Sequence, residues 1–327
     1  MPLIFRTVKN YHSPYSKINT NGETSLQCRK IDLYRSIITV GNPSFLTFKN
    51  IHDYGLARAL YDSIFKKIGI IASNIQSDFT GMRRHPIFES YLSDEKRIIS
   101  YNLGMAFAKF YSEKILDIPN LIHVEFLKKQ NAVTFVKQTG DKRPKEPDLV
   151  GQTVDGKWHV FEAKGISTSE SYLSGKITEA KKQIQQIATI QGTPPSTGTA
   201  CATYIGPDRI LTYLEDPPSN DGRHVKVNIE KFVESYYAPF LLAEKLTGLT
   251  LRKESIDGLD VDFYELQHAS RKLRIGLSRE LSELIKSKDY KNLNGVIGQL
   301  KEYSNIYEKQ NNYSIGLDGF VLGYTEY

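Results

Sequence analysis

Residues 147–165 read PDLVGQTVDGKWHVFEAKG, and the reading of the chain turns on them. Two short β-type runs, Asp148 to Thr153 and Lys157 to Lys164, flank a Val154-Asp155-Gly156 turn signal. In the second run Trp158 and Val160 share one strand face with Glu162 and Lys164, while His159, Phe161 and Ala163 share the other. Both faces are largely apolar, which predicts a strand covered on two sides. A Glu and a Lys two residues apart at its end must then project together from a protected wall. Burying such charges without partners costs several kcal/mol, on the order of a whole interaction. They are therefore either a structural ion pair capping the strand as it meets solvent, or a site in which the carboxylate and the ammonium act side by side.

Asp148 bears on that choice through register. A three-residue loop over Val154 to Gly156, with Gly156 left-handed in a bulge, pairs Thr153 with Lys157. Counting outward, it sets Asp148 opposite Glu162 on one face, about 5 Å apart at Cβ. A two-residue Asp-Gly turn pairs Asp148 with Ala163 instead and sends its carboxylate to the other face. The tight turn is the commoner short loop, but a site built on both carboxylates requires the bulge, and the bulged register is the expectation here.

Working outward, Ile99, Leu103, Ala106, Phe107 and Phe110 recur at helical spacing and predict a helix over Ser93 to Leu116, with Asp94 and Glu95 in its first turn. Strands are expected at His123 to Leu127 and Ala132 to Lys137. After the hairpin, Ile177, Ala180, Ile184 and Ile187 form the apolar stripe of a helix over Ser174 to Ile190 whose other face is rich in Lys and Gln. Gly192, Pro194, Pro195 and Gly198 mark a loop before a strand at Ala200 to Ile205. This order implies an α/β fold, a mixed sheet flanked by helices, over residues 91–215. Residues 1–90 form an N-terminal α/β region with apolar runs at Ser36 to Val40 and Ile68 to Ile71. Asp216 to Gly222 reads as a linker into a mainly helical region, 216–327. Its expected helices are Phe232 to Leu246, Ser270 to Lys286 (on Leu273, Leu277, Leu281 and Leu284) and Lys291 to Tyr307, with a last strand from Ser314 to Tyr324.

The chain has 327 residues, of which 40% are hydrophobic and 24% charged, enough to bury a core. No apolar run is long enough to span a bilayer, and the N-terminus lacks a signal-peptide stretch, so a soluble, cytoplasmic protein without a membrane is expected. Two distant cysteines, Cys28 and Cys201, exclude a Cys-rich zinc module, and the seven histidines show no ligand spacing. A metal site must then lean on oxygen donors, which suits Mg²⁺ or Mn²⁺. A formal charge of +6 favours a polyanionic partner. Basic clusters stand at Arg83-Arg84-His85, Lys128-Lys129 and Lys142-Arg143-Pro144-Lys145. No P-loop, dinucleotide fingerprint or G-x-S-x-G elbow occurs.

Pro147-Asp148 followed by Glu162-Ala163-Lys164 across a hairpin, with a helix before and a Lys/Gln-rich helix after, resembles the PD-(D/E)XK superfamily of restriction-endonuclease-like nucleases over roughly residues 90–210. The resemblance implies a restriction-endonuclease-like core, Mg²⁺ or Mn²⁺ held by Asp148, Glu162 and the Ala163 carbonyl, and Lys164 as catalytic lysine. It further implies a helix glutamate, for which Glu95 is preferred over Glu113, and a glutamine on the following helix, for which Gln183 fits better than Gln186. Glu95 also fits a plain role as a first-turn acid favouring the helix dipole. The implied activity is phosphodiester hydrolysis of DNA, as an endonuclease of restriction, phage-defence or repair type. Two other readings stay open: a non-catalytic nucleic-acid-binding or assembly subunit, and a nuclease active only with a partner helicase or ATPase.

Overall fold

The computed structural model describes residues 2–41, 53–55, 58–59, 61–136, 146–218, 222–247, 250–268, 271–307 and 312–326. The basic stretch Lys142 to Lys145 lies outside them.

The hairpin sits inside a seven-stranded mixed sheet. Its strands in chain order are β1 (Leu3–Lys9), β2 (Thr24–Gln27), β5 (Asn120–His123), β7 (Leu149–Gln152), β8 (Trp158–Ile166), β10 (Thr197–Ile205) and β11 (Ile210–Glu215). Across the sheet they run β2-β1-β11-β10-β8-β7-β5. β1 is parallel to β11 and β8 to β10; the remaining neighbours are antiparallel. β8 is thus an interior strand, and residues 158–163 are all buried, as two-sided coverage requires.

Two helices supply that coverage. α3 (Ser93–Leu116) follows α1 (Lys30–Thr39) and α2 (Lys66–Asn74) and crosses one face. Its contact with β8 is so close that a Cβ on Gly104 would lie 2.6 Å from the Gly165 nitrogen, and one on Gly165 would overlap the Ser100 carbonyl. From Leu103 to Glu113 every residue of α3 is buried, so this helix is core on all sides. α5 (Leu173–Ile184) covers the opposite face, following the short α4 (Val124–Lys129) in the chain. Gly198, the β10 partner of Val160, faces Ile184 there. Side-chain alternation therefore aims Glu162 and Lys164 at α5, and Gly165 at α3.

Three smaller sheets surround this core. β3 (Ile75–Asp78) pairs with β4 (Gly81–Arg84). β12 (Arg223–Val227) lies between β6 (Val133–Val136) and β9 (Ile187–Ile190). β13 (Arg252–Ile256), β14 (Leu259–His268), β15 (Arg271–Ser278), β17 (Phe320–Glu326) and β16 (Tyr313–Ile315) form an antiparallel sheet in that order. With it go α6 (Ile229–Thr247), α7 (Arg279–Lys286) and α8 (Leu293–Tyr307). The main sheet thus draws β1 and β2 from before residue 90, and β12 joins strands on the far side of residue 216. None of the helices is long and apolar enough to cross a membrane among the described residues.

Several elements differ from the sequence expectation. Residues 124–129 are helical, because β5 ends at His123 and its imidazole Nδ1 caps the Glu125 N–H at 3.2 Å. The helix on the Ile177 stripe stops at Ile184, and Ile187–Ile190 pairs with β12, so Ile187 is buried by a strand. Asp216 is buried and accepts the Gly198 N–H at 2.7 Å, which ties the start of the expected linker to β10; residues 219–221 lie outside the described set. The described residues of 216–327 are not mainly helical: they carry a five-stranded sheet beside three helices. Residues 271–278 form a strand because Leu273, Ile275 and Leu277 also alternate, and β14 and β17 bond both of its edges. The last strand joins this second sheet.

A buried ionic cluster joins that sheet to the core. Arg35 of α1 donates to Glu113 of α3 at 2.5 and 3.0 Å and to Asp318 at 3.4 Å. Lys109 of α3 bridges Glu113 at 2.6 Å and Asp318 at 3.0 Å. Tyr236 of α6 donates to Asp318 at 2.6 Å. All are buried. Glu113, the second candidate for a helix carboxylate, is thus held inside this network.

Candidate active site

The hairpin turn carries the bulged register. Gly156 N–H donates to the Thr153 carbonyl at 2.9 Å, Thr153 N–H donates to the Lys157 carbonyl at 2.9 Å, and Gly156 has φ +80°. Thr153 Oγ1 donates to Asp155 Oδ1 at 2.5 Å and braces the loop. Only a residue without a Cβ enters the left-handed region freely, so the Gly at 156 fixes where the bulge falls. The ladder then pairs Gln152 with Trp158 and Leu149 with Phe161, and the next step outward sets Asp148 opposite Glu162.

Each carboxylate is held by a backbone N–H across the hairpin. Asp148 N–H donates to Glu162 Oε2 at 2.9 Å, and Ala163 N–H donates to Asp148 Oδ2 at 3.2 Å. Lys164 Nζ bonds the other Glu162 oxygen, and it also donates to Gln183 Oε1 of α5 at 2.9 Å. Gln183 Nε2 reaches back to the Glu146 carbonyl at 3.5 Å, just before the hairpin. Asp148, Glu162, Lys164 and Gln183 therefore form one contiguous array, with the Ala163 backbone between the two acids.

The electrostatics of the array are unbalanced. Glu162 is fully buried, and its carboxyl is pushed up to about 7, first by burial and then by the charge of Asp148, against the pull of Lys164. Lys164 pairs with the Glu162 carboxylate, while the Asp148 carboxylate is held by the Ala163 N–H.

Glu95 does not join them. Its carboxylate accepts the Leu92 N–H at 2.9 Å at the exposed start of α3, which is a capping role. Among the described residues no group of three or more His, Cys, Asp and Glu side chains is placed to hold a metal. Gln186 points elsewhere, donating to the Lys182 carbonyl at 3.2 Å.

One neighbour escaped the sequence reading. Tyr101 of α3 is close enough to feel the pair: burial first, then the charges of Asp148 and Glu162, push its phenol up to about 12. Its ring is 44% exposed at the edge of a hollow shared with His123 and Glu125. The signal that could have found it is Gly104, where α3 touches β8 and so carries the preceding turn past the hairpin.

No protein-family model matches the chain, and neither a curated protein nor a solved structure does.

Proposed function

We propose that the chain is a metal-dependent nuclease that hydrolyses phosphodiester bonds of DNA at the Asp148–Glu162–Lys164 array. The observation that carries this reading is the bulged register, which brings both acids and the lysine to one face of the hairpin. A structural strand-end pair needs only Glu162 and Lys164; it has no use for a second, repelling carboxylate at Asp148.

The donors fit a hard divalent cation. They are all oxygen, two of them are carboxylates, and Mg²⁺ is commonly held by one or two carboxylates with waters completing its shell. Asp148, Glu162 and the Ala163 carbonyl would hold the ion. When bound it acts as a Lewis acid and lowers the pKa of a coordinated water. The chain's own part is positional. The buried strand fixes Glu162, Ala163 N–H orients Asp148, and Gln183 holds the Lys164 ammonium beside the acids, where it can steady anionic charge or exchange a proton. The interior setting of β8 keeps these groups pre-organised.

The test is a panel of duplex, single-stranded and branched DNA with Mg²⁺ or Mn²⁺, comparing wild type with Asp148→Ala and Lys164→Ala. Metal-dependent cleavage lost in both variants supports the reading. If the wild type cleaves nothing, alone or with added helicase and ATPase partners, the chain is a binding or assembly subunit instead.

A further inference from the structure

Beyond Lys164 the strand runs into a groove of about 890 Å³, between the first turns of α3 and the start of α5. Gly165, the neighbour of Lys164, lines it. The charged side chains in its wall are Arg84, Lys96, Arg97 and Lys176 against the single carboxylate of Glu89.

Two of these cations are fixed in place. Arg84 is buried and donates to the carbonyls of Ser167 and, at 3.3 Å, Ile205. Its guanidinium stands 4.8 Å from the centre of the buried Phe88 ring, and the Lys96 ammonium stands 5.8 Å from the same ring. Glu89 bonds both Arg84 and Lys96, the latter at 3.2 Å, while 61% of its side chain stays in solvent. An exposed anion held between two positioned cations occupies the place a phosphate would take. Arg97 and Lys176 are paired to Asp94 and Glu179 at 3.2 and 2.7 Å, and such exposed pairs are exchanged for a phosphate at little cost. Tyr172, also in the groove wall, is 58% exposed. A cationic track with an open aromatic face matches how unpaired strands are bound: charge follows the backbone, and bases stack on the ring. A base inside a duplex has no free face to offer.

We infer that this groove binds single-stranded nucleic acid, leading one strand to Lys164 with its phosphates on the Arg84–Lys96 wall and a base stacked on Tyr172. The inference rests on the nuclease reading for its purpose, but its measurement does not depend on cleavage.

The experiment is fluorescence anisotropy of a labelled oligo-dT and of a blunt duplex of equal length, with the full chain in EDTA. Tyr172→Ala weakens oligo-dT binding about tenfold, the loss expected for one stacked base. Glu89→Gln removes the internal competitor and tightens it severalfold, an opposite sign that loss of structure does not produce. Duplex binding moves in neither variant. Cleavage by the wild type is scored separately with Mg²⁺, and binding is scored in EDTA, so failure of catalysis and failure of the groove are read apart. Oligo-dT affinity unchanged in both variants overturns the inference. Equal shifts on duplex and oligo-dT overturn it as well, in favour of a duplex-binding surface.

Discussion

The buried Glu162 carboxyl makes the site measurable without any substrate. Its acidity is displaced from the ordinary value of 4.5 to about 7 by burial and by Asp148. A displacement of that size corresponds to about 3 kcal/mol between the two protonation states. Because the folded-state value is raised, the folded protein holds the proton more tightly. Stability is fully present below the unfolded value and is lost as pH rises through the folded one. His159 complicates the raw curve. It is buried with its pKa lowered from 6.5 to about 3 by desolvation, so its contribution is lost in the other direction, as pH falls from 6.5. Between 4.5 and 6.5 the two slopes oppose each other and the wild-type curve flattens.

Glu162→Gln isolates the carboxyl. The amide has the same shape, still accepts hydrogen bonds and cannot ionise, so at low pH it matches protonated Glu162. Urea unfolding in EDTA is expected to give equal stabilities near about pH 4 and a variant about 3 kcal/mol more stable by about pH 8, the difference growing over the interval. Mg²⁺ is then expected to stabilise the wild type above neutral pH and to leave the variant unmoved. Parallel stability curves, or a variant that loses stability at high pH, would refute the argument that Asp148 and burial strain this carboxylate.

Other consequences follow from the same geometry. Gly156→Ala forces a Cβ into φ +80° and should cost about 1 kcal/mol in urea unfolding, together with a loss of cleavage if the bulge slips. Gly104→Ala places a Cβ 2.6 Å from backbone of β8; it should destabilise by more than about 2 kcal/mol, at the high end of overpacking. Lys109→Met leaves Glu113 and Asp318 short of a buried cation and should cost about 3–5 kcal/mol, again read by urea unfolding. Gln183→Leu frees the Lys164 ammonium from α5 and should lower metal-dependent cleavage by about 10–100-fold while leaving the fold intact by circular dichroism.

Some of this was legible along the chain and some was not, for definite reasons. α3 was readable to its ends because Asp94 and Glu95 suit its first turn and apolar residues recur at helical spacing from Ile99 to Phe110. Glu95 itself is local chemistry: a carboxylate two residues into a helix finds the nearest free N–H before it finds a metal. In residues 216–327 two periods share residues. Leu273 and Leu277 fit a helix with Leu281 and Leu284, and equally fit a strand with Ile275. Only the presence of β14 and β17 on either side decides which set of backbone bonds forms.

The hairpin shows the same division at its smallest scale. Strand alternation by itself places Glu162 and Lys164 on one face, since that follows from bonds to the next residue but one. A Gly at position 156 is enough to permit the bulge. What sequence could not supply is the third dimension of the site. α5 brings Gln183 to Lys164, α3 brings Tyr101 to the carboxylates, and the covered sheet buries Glu162 beside the charge of Asp148. Those effects depend on distances between segments far apart in the chain, and only packing sets such distances.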